Sequence, residues 1–243
     1  MIKIENLKKS FGENQVLKGV NLEIKTGETV VVLGRSGCGK SVLLKHIVGL
    51  LRPDSGKVYV DGEDVTTATG AKLYKIRRKI AMVFQGSALL DSLTVGENVG
   101  LWLQEHTDLP KSKIREIVRR KLQLVELEGI EDKMPSELSG GMKKRVAIAR
   151  ALAIEPQYIL YDEPTTALDP ITARRIDKLI RHIQDELKMT TIAVTHDLVS
   201  ASIIGDRFAL LSDGVIVFEG TPEEFRKSGN PKAIEFIKGG GYE

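Results

Sequence analysis

The chain has 243 residues, of which 42% are hydrophobic and 28% are charged, which is the composition of an ordinary globular protein able to bury a core without disulfides. Its 36 basic and 33 acidic residues leave a net charge of only +3, so a nucleic-acid-binding surface is not expected. A single cysteine excludes an internal disulfide, and four scattered histidines give no metal-ligand spacing.

The first predicted elements are strands. Residues 2–7 and 16–24 alternate apolar and polar side chains, as half-buried antiparallel strands do. Residues 28–33 form a continuous β-branched run, which is typical of a strand buried on both faces in a parallel sheet. A glycine-rich loop and an apolar helix over residues 42–50 follow, and a strand over residues 57–60 comes next.

The second half of the chain alternates helices with strands. Helical periodicity runs over residues 111–128 and 142–154, and nearby prolines mark expected helix boundaries. Apolar runs typical of parallel strands return at residues 157–161 and 190–195, and a helix over residues 171–187 is predicted between them. This alternation favours a parallel sheet with helices packed on its faces.

The C-terminal part is predicted to begin with a hairpin formed by residues 208–211 and 215–218. Thr221 then combines an N-cap with a proline at the first helical position and a glutamate at the third, so a helix is expected to start there. Three glycines over residues 239–241 predict a loose tail. Basic runs such as residues 77–79 and 143–145 are interpreted as solvated helix faces.

A phosphate-binding loop is predicted between the strand at residues 28–33 and the helix that follows. The segment matches G-x-x-x-x-G-K-[ST] in the strand-loop-helix context that the mechanism requires. Its glycines allow backbone N–H groups to face phosphate oxygens, and the helix N-terminus adds a favourable dipole. Lys40 is expected to reach the β- and γ-phosphates, and the Ser41 hydroxyl to bind Mg²⁺. The predicted nucleotide-binding residues of the loop are Gly34, Arg35, Ser36, Gly37, Cys38, Gly39, Lys40 and Ser41.

Two adjacent acids end the apolar run at residues 157–161. Asp162 and Glu163 are therefore expected at the carboxyl edge of a buried strand, which is where ligands bind in open α/β sheets. Asp162 is predicted to hold the Mg²⁺ shell, and Glu163 to act as the general base toward the attacking water.

A second anion-binding segment is predicted at residues 138–142, which read Leu-Ser-Gly-Gly-Met. Ser139, Gly140 and Gly141 precede a helix that is expected from Lys143, so this helix terminus also attracts phosphate. The chain thus has two phosphate-seeking segments about 100 residues apart. The economical explanation is that each segment completes the nucleotide site of a second copy in a two-fold dimer.

With these motifs the chain resembles the ATPases of ABC transporters over essentially its full length. The resemblance implies ATP and Mg²⁺ as cofactors. It also implies that Gln85 touches Mg²⁺ or the water, that residues 167–169 communicate across a dimer, that His196 contacts the γ-phosphate, and that Phe11 stacks on adenine. Met142 stands where the family most often has glutamine, and a methionine cannot supply the hydrogen bonds that an amide would make to a ribose.

The element order and the resemblance together predict an α/β fold of the P-loop NTPase (RecA-like) type. A parallel-sheet core is expected, with an N-terminal antiparallel β-subdomain and an inserted helical subdomain over about residues 86–155. The prediction is a single ABC ATPase domain over residues 1–243, with a flexible tail over about residues 239–243.

Short stretches within residues 85–90, 105–107, 134–142 and 169–172 are similar to the Mla group of ATPases, which power phospholipid trafficking between the membranes of Gram-negative bacteria. This resemblance implies an integral-membrane permease of the MlaE type and a periplasmic MCE-type lipid-binding subunit. The surface over about residues 86–105 would dock the permease. Two alternatives stay open: the ATPase of an amino-acid or metal importer, and a non-transport ABC protein acting on DNA or ribosomes.

The cellular location follows from what the sequence lacks. The first residues do not have the apolar core of a signal peptide, and no apolar run approaches the ~20 residues needed to span a bilayer. We therefore expect a cytoplasmic protein without direct membrane insertion, held at the inner face of the inner membrane by its permease.

Overall fold

Two β-sheets form the framework of the protein, and the computed structural model describes residues 1–239 of it. The first sheet is antiparallel, with the order β2-β1-β4-β5. Its strands are β1 (Ile2–Phe11), β2 (Asn14–Ile24), β4 (Ser55–Val60) and β5 (Glu63–Asp64). The predicted N-terminal antiparallel sheet is confirmed, and its first two strands extend beyond the alternating segments.

The second sheet has six strands in the order β10-β9-β3-β8-β7-β6. They are β3 (Thr29–Leu33), β6 (Ile80–Val83), β7 (Tyr158–Asp162), β8 (Thr190–Thr195), β9 (Arg207–Ser212) and β10 (Val215–Gly220). Neighbouring strands are parallel except for the pair β9 and β10. Every residue of β3, β7 and β8 is buried, as expected for strands covered on both faces.

Helices cover the parallel sheet and form an insertion between β6 and β7. They are α1 (Lys40–Ile47), α2 (Gly70–Arg78), α3 (Val95–His106), α4 (Lys111–Leu124), α5 (Gly140–Ala153), α6 (Pro170–Leu187), α7 (Leu198–Ile204), α8 (Pro222–Arg226) and α9 (Pro231–Gly239). The insertion consists of α3, α4 and α5. Within residues 1–239, no helix is both long enough and apolar enough to cross a membrane.

The alternation of side chains along β3 divides the apolar core into two layers. Val30 and Val32 pack into a cluster that contains α1 and the inner face of the antiparallel sheet. Val31 and Leu33 pack into the larger cluster on the opposite face, which includes residues of α5, α6 and α7. Because both layers pack against β3, the glycine-rich loop that follows this strand starts from a fixed position.

The fold class predicted from the sequence is confirmed, and the differences lie in short elements. Helices α2, α3, α7 and α9 and strands β5 and β6 were not predicted. Helix α5 begins at Gly140, so the expected start at Lys143 was wrong by one turn, because Ser139 caps the helix by accepting a hydrogen bond from the Met142 N–H. Gly239 belongs to α9, and the rest of the predicted tail lies outside the described residues.

Candidate nucleotide-binding and hydrolysis site

A cleft of about 380 Å³ lies at the carboxyl edge of the parallel sheet. It brings together residues from the first strand, the glycine-rich loop and the segments that follow β6, β7 and β8. Its lining consists of Phe11, Val16, Ser36, Gly37, Gly39, Lys40, Ser41, Val42, Gln85, Glu163, Thr166 and His196. Residues predicted separately from distant motifs therefore surround one cavity.

The glycine-rich loop has a backbone that only glycine accepts readily at two places. Gly37 and Gly39 have φ angles of +79° and +106°. A Cβ on Gly39 would also lie 2.8 Å from Val16 Cγ1, so this position excludes side chains by space as well. Helix α1 begins at the next residue, Lys40, which directs the helix N-terminus toward the cleft and favours an anion there.

Lys40 is buried, and three oxygen atoms hold its ammonium group. Its Nζ donates to the carbonyl oxygens of Gly34 at 2.8 Å and Arg35 at 3.1 Å. It also forms an ion pair with Glu163 Oε1 at 3.1 Å. A buried charge is tolerated when it is paired in this way. The same contacts fix the position of the lysine in the predicted phosphate-binding loop.

Ser41 and Asp162 place two oxygen ligands side by side. The Ser41 hydroxyl donates to Asp162 Oδ1 at 2.7 Å, and Asp162 is the last residue of β7. Gln85, the third predicted metal ligand, lines the same cleft. Hydroxyl, carboxylate and amide oxygens are hard ligands of the kind that Mg²⁺ prefers, so the chemistry of these three residues fits that ion.

Glu163 and His196 form a close pair across the cleft. The His196 Nδ1 donates to the Glu163 carboxylate, with distances of 2.9 Å to Oε2 and 3.1 Å to Oε1. Thr166 adds a donor at 3.2 Å from Oε2. Glu163 has a φ angle of +48°, a left-handed conformation that costs roughly 1–2 kcal/mol for a residue with a side chain. Strain of this kind persists only where the surroundings determine the conformation.

Three other predicted binding residues have side chains with different surroundings. The Arg35 side chain is 80% exposed and pairs with Glu235 of α9, so only its carbonyl oxygen contacts Lys40. Cys38 is partly buried, and burial raises the pKa of its thiol. Phe11 lies at the rim of the cleft with its ring about half exposed, and the Lys9 ammonium is 5.6 Å from the ring centroid.

The signature residues Ser139, Gly140 and Gly141 do not belong to the described lining of this cleft. They form the capped first turn of α5. A Cβ on Gly141 would lie 2.6 Å from Thr172 Cγ2, so the glycine is required by the close approach of the beginnings of α5 and α6. The signature residues are therefore not among the described groups that line the cleft at this chain's own phosphate-binding loop.

Lys144 is a residue that the sequence reasoning missed. It belongs to a basic run interpreted as a solvated helix face, and for Lys144 this interpretation was wrong because the side chain is only 5% exposed. Its ammonium donates to the carbonyl oxygen of Gln85, and burial lowers its pKa against the opposing influence of Asp162 and Glu163. Lys144 therefore links α5 to the Gln85 segment of the cleft.

A buried polar cluster lies behind the Glu163–His196 pair, between α6 and α7. Asp177 is fully buried, and its Oδ2 accepts from the Ser200 hydroxyl at 2.9 Å and lies 3.0 Å from Arg174 Nη1. Arg174 also pairs with Asp197, which follows His196 directly. Ser200 Oγ lies 3.2 Å from Thr165 Oγ1. Burial raises the pKa of Asp177 to about 6, against the lowering effects of Ser200 and Arg174.

The parallel sheet, the glycine-rich loop that enters α1 and the two acids at the end of β7 together define a P-loop nucleoside triphosphatase. The chain matches the sequence profile of the family described as ABC transporter over residues 17–166. The chain belongs to this family, and it is of the ATPase-subunit type.

Curated relatives extend the similarity over nearly the whole chain. The intermembrane phospholipid transport system ATP-binding protein MlaF of Haemophilus influenzae is 38% identical, over 98% of this chain and 90% of that protein. The probable ribonucleotide transport ATP-binding protein mkl of Mycobacterium leprae is 41% identical, over 98% of this chain and 69% of that protein. The sulfate/thiosulfate import ATP-binding protein CysA of Synechocystis is also 41% identical, over 96% of this chain and 64% of that protein.

A solved structure with a similar fold is a dimeric ATP-binding cassette in a post-hydrolysis state, bound to ADP and Pi. It is 40% identical to this chain with a TM-score of 0.83, over 91% of this chain and 99% of that one. The P-loop NTPase fold and the ATPase activity expected from the motifs are confirmed by this agreement.

The raised pKa of Asp177 predicts how the stability of the protein depends on pH. The folded state holds a proton on this carboxyl up to about pH 6, whereas an unfolded chain releases it near its ordinary pKa of about 4. The contribution of Asp177 to the free energy of unfolding is therefore fully present below about pH 4 and is lost as the pH rises to about 6.

Urea unfolding of the wild type and of Asp177→Asn between pH 4 and pH 8 measures this contribution. The difference in unfolding free energy, wild type minus variant, should decrease through this interval and level off above about pH 7. Asp185→Asn, a change of the same kind at an exposed position of α6, should give a much smaller pH-dependent difference. A difference that does not change with pH for Asp177→Asn would contradict the prediction.

Proposed function

We propose that this chain drives phospholipid trafficking between membranes as the ATP-hydrolysing subunit of a transporter of the MlaF kind, working as a pair of identical subunits. The observation that carries the cargo is the similarity of the short stretches within residues 85–90, 105–107, 134–142 and 169–172 to the Mla group, which accompanies 38% identity to MlaF over 98% of this chain. Identity does not separate MlaF from the relatives named for ribonucleotide or sulfate, at 38% against 41%. The short stretches therefore favour the phospholipid transporter among these relatives.

ATP is proposed to bind with its phosphates along the loop from Gly34 to Ser41 and its adenine against the half-exposed Phe11 ring. Lys40 would exchange one or more of its present oxygen partners for phosphate oxygens. Ser41, Gln85 and Asp162 would hold Mg²⁺, which neutralises charge on the β- and γ-phosphates when it is bound.

Glu163 is proposed to accept a proton from the attacking water. Its carboxylate is 3.1 Å from Lys40 Nζ and 2.9 Å from His196 Nδ1, so the groups assigned to phosphate binding also orient the base. His196 is more exposed than Glu163, which leaves its ring free to contact the γ-phosphate. The role of His196 is to hold that phosphate and the base in one arrangement.

A second copy of the chain is proposed to complete each nucleotide site. Ser139, Gly140 and Gly141 form an anion-attracting helix terminus that is not part of the described lining of the chain's own cleft. Two copies related by a two-fold axis can place each signature over the phosphates of the other. The similar cassette of known structure is dimeric, which supports this arrangement.

We infer that the pair works at the cytoplasmic face of the inner membrane through an integral-membrane permease of the MlaE type, with an MCE-type lipid-binding subunit beyond it. The permease would dock over about residues 86–105, which include most of α3. In the described structure Lys144 joins α5 to the Gln85 segment at the start of this surface. Movement of the docked permease would thereby reach the hydrolysis site.

Replacing Glu163 by glutamine should lower ATP turnover by about 100-fold or more, because the amide accepts a proton poorly, while nucleotide affinity is retained. Phosphate release and the binding of a fluorescent ATP analogue measure the two effects, and chromatography with ATP detects a trapped dimer. Glu155→Gln changes an exposed glutamate and serves as the matched control. Full turnover in the Glu163 variant would remove its assignment as the base.

Mixing two inactive variants tests the shared site. Ser139→Arg spoils the signature and Lys40→Ala spoils the phosphate loop, so neither homodimer is expected to hydrolyse ATP. A mixed dimer contains one intact loop facing one intact signature, and activity should reappear on mixing. Ser112→Arg, an exposed change in α4, controls for the added arginine. No recovery, or normal activity of Ser139→Arg alone, would contradict the cross-subunit arrangement.

Purification of the native complex tests the cargo. An integral-membrane permease should accompany the chain, and mass spectrometry of an organic extract should detect bound phospholipid. A permease for amino acids, metal ions or sulfate, with no lipid above the level of a detergent control, would favour the importer alternative. Association with ribosomes or DNA would favour the non-transport alternative.

A further inference from the structure

Two short loops carry the proposed base and the histidine that orients it. The first leaves β7 and contains Glu163 and Thr165, and the second leaves β8 and contains His196 and Asp197. Both loops run over the N-terminal half of α7, where they reach the side chain of Ser200. Ser200 is fully buried, so its contacts are fixed by packing.

The hydroxyl of Ser200 touches three oxygen atoms from three different segments. Its Oγ lies 2.9 Å from Asp177 Oδ2, 3.1 Å from Asp197 Oδ2 and 3.2 Å from Thr165 Oγ1. One hydroxyl therefore joins α6, the loop after β8 and the loop after β7. Asp197 additionally accepts from the backbone N–H groups of Val199 and Ser200, which ties the second loop to the start of α7.

Ser200 and Arg174 supply the donors in this cluster. A serine hydroxyl donates one hydrogen bond, and the Arg174 guanidinium lies beside both of its carboxyl neighbours and supplies further donors. Both carboxyl groups are therefore satisfied when Ser200 donates to Asp177 and Arg174 pairs with Asp177 and Asp197. The other oxygen, Asp177 Oδ1, has no hydrogen-bond partner among the described residues, which is less costly for a neutral carboxyl group than for a carboxylate.

Arg174 closes the cluster on the solvent side. Its guanidinium is 3.0 Å from Asp177 Oδ2 and also pairs with Asp197. The groups that face Asp177 are therefore Arg174 from its own helix, Ser200 from α7, Asp197 from the loop after β8, and Thr165, through Ser200, from the loop after β7. Removing the Asp177 side chain would leave Ser200 and Arg174 with Asp197 as their only acidic partner in this set.

We infer that Asp177 is a positioning residue for ATP hydrolysis, which fixes the loops of Glu163 and His196 through the shared Ser200 hydroxyl and Arg174. The inference rests on the proposed roles of Glu163 and His196. Glu163 has a left-handed backbone, and the Thr165 hydroxyl two residues later contacts Ser200. Asp177 is buried and does not line the cleft, so its role in the reaction is indirect.

Three variants test the inference in steady-state ATP hydrolysis by the full-length protein. Asp177→Ala should lower kcat on the order of tenfold, because Ser200 and Arg174 lose the partner on α6 that holds them in place, while KM for ATP stays within about twofold. Asp177→Asn should keep kcat within about twofold, because its amide can donate to Ser200 and accept from Arg174. Asp185→Asn, an exposed change on the same helix, should leave both constants unchanged.

Ser200→Ala provides a second route if Asp177→Ala folds poorly. It removes only the shared hydroxyl, and it should lower kcat to a similar extent. The double variant should lose little more than either single variant, because both changes break one connection. Near-ultraviolet circular dichroism gives the folded fraction to which each kcat is normalised. Unchanged normalised kcat in both Asp177→Ala and Ser200→Ala would overturn the inference, as would an equal loss in Asp177→Asn and Asp177→Ala.

Glu163→Gln, assayed beside these variants, separates this inference from the proposed base. Loss of turnover in Glu163→Gln with normal kcat in Asp177→Ala and Ser200→Ala would overturn the positioning role alone. Normal turnover in Glu163→Gln with reduced kcat in Asp177→Ala and Ser200→Ala would overturn the base, while the positioning of the His196 loop would be supported.

Discussion

The register of β8 between β3 and β7 determines the geometry of the whole site. Leu33 pairs with Thr195, and Asp162 pairs with Val194, so three parallel strands end at nearly the same level. The glycine-rich loop, the paired acids and the histidine leave these three ends in turn. A slip of one residue along β8 would reverse the direction of its side chains and separate His196 from Glu163. Packing on both faces of the sheet keeps this register.

Buried charges then depend on one another within that frame. Lys40, Asp162, Glu163 and Lys144 are each at most 8% exposed. Removing a charge from water costs several kcal/mol, and the opposite charges and hydrogen-bond partners nearby offset that cost. Such a cluster contributes little net stability, but loss of one member leaves another without compensation. These buried charges therefore serve the proposed reaction at some cost in folding stability.

Most residues of the candidate site could be predicted from the sequence, but the buried residues that support them could not. The phosphate loop, the two acids and His196 could be predicted because each motif has a local mechanism or belongs to a recognised pattern. Helix α3 was missed although Thr94 and Glu97 form the capping box that its sequence spells. Lys144, Asp177 and Ser200 could not be predicted, because their surroundings are made by segments far away in the chain. From the sequence alone, a lysine in a basic run is predicted to be exposed to solvent.

The left-handed conformation of Glu163 has a consequence for the evolution of this protein. Glycine would adopt that backbone without strain, but it would leave the buried Lys40 ammonium without its carboxylate partner. A long acidic side chain thus occupies a position whose backbone favours glycine, as expected where that side chain has the proposed chemical role. In a set of related sequences, the amino acid at this position should therefore distinguish working enzymes from copies that have kept the fold but lost their catalytic duty.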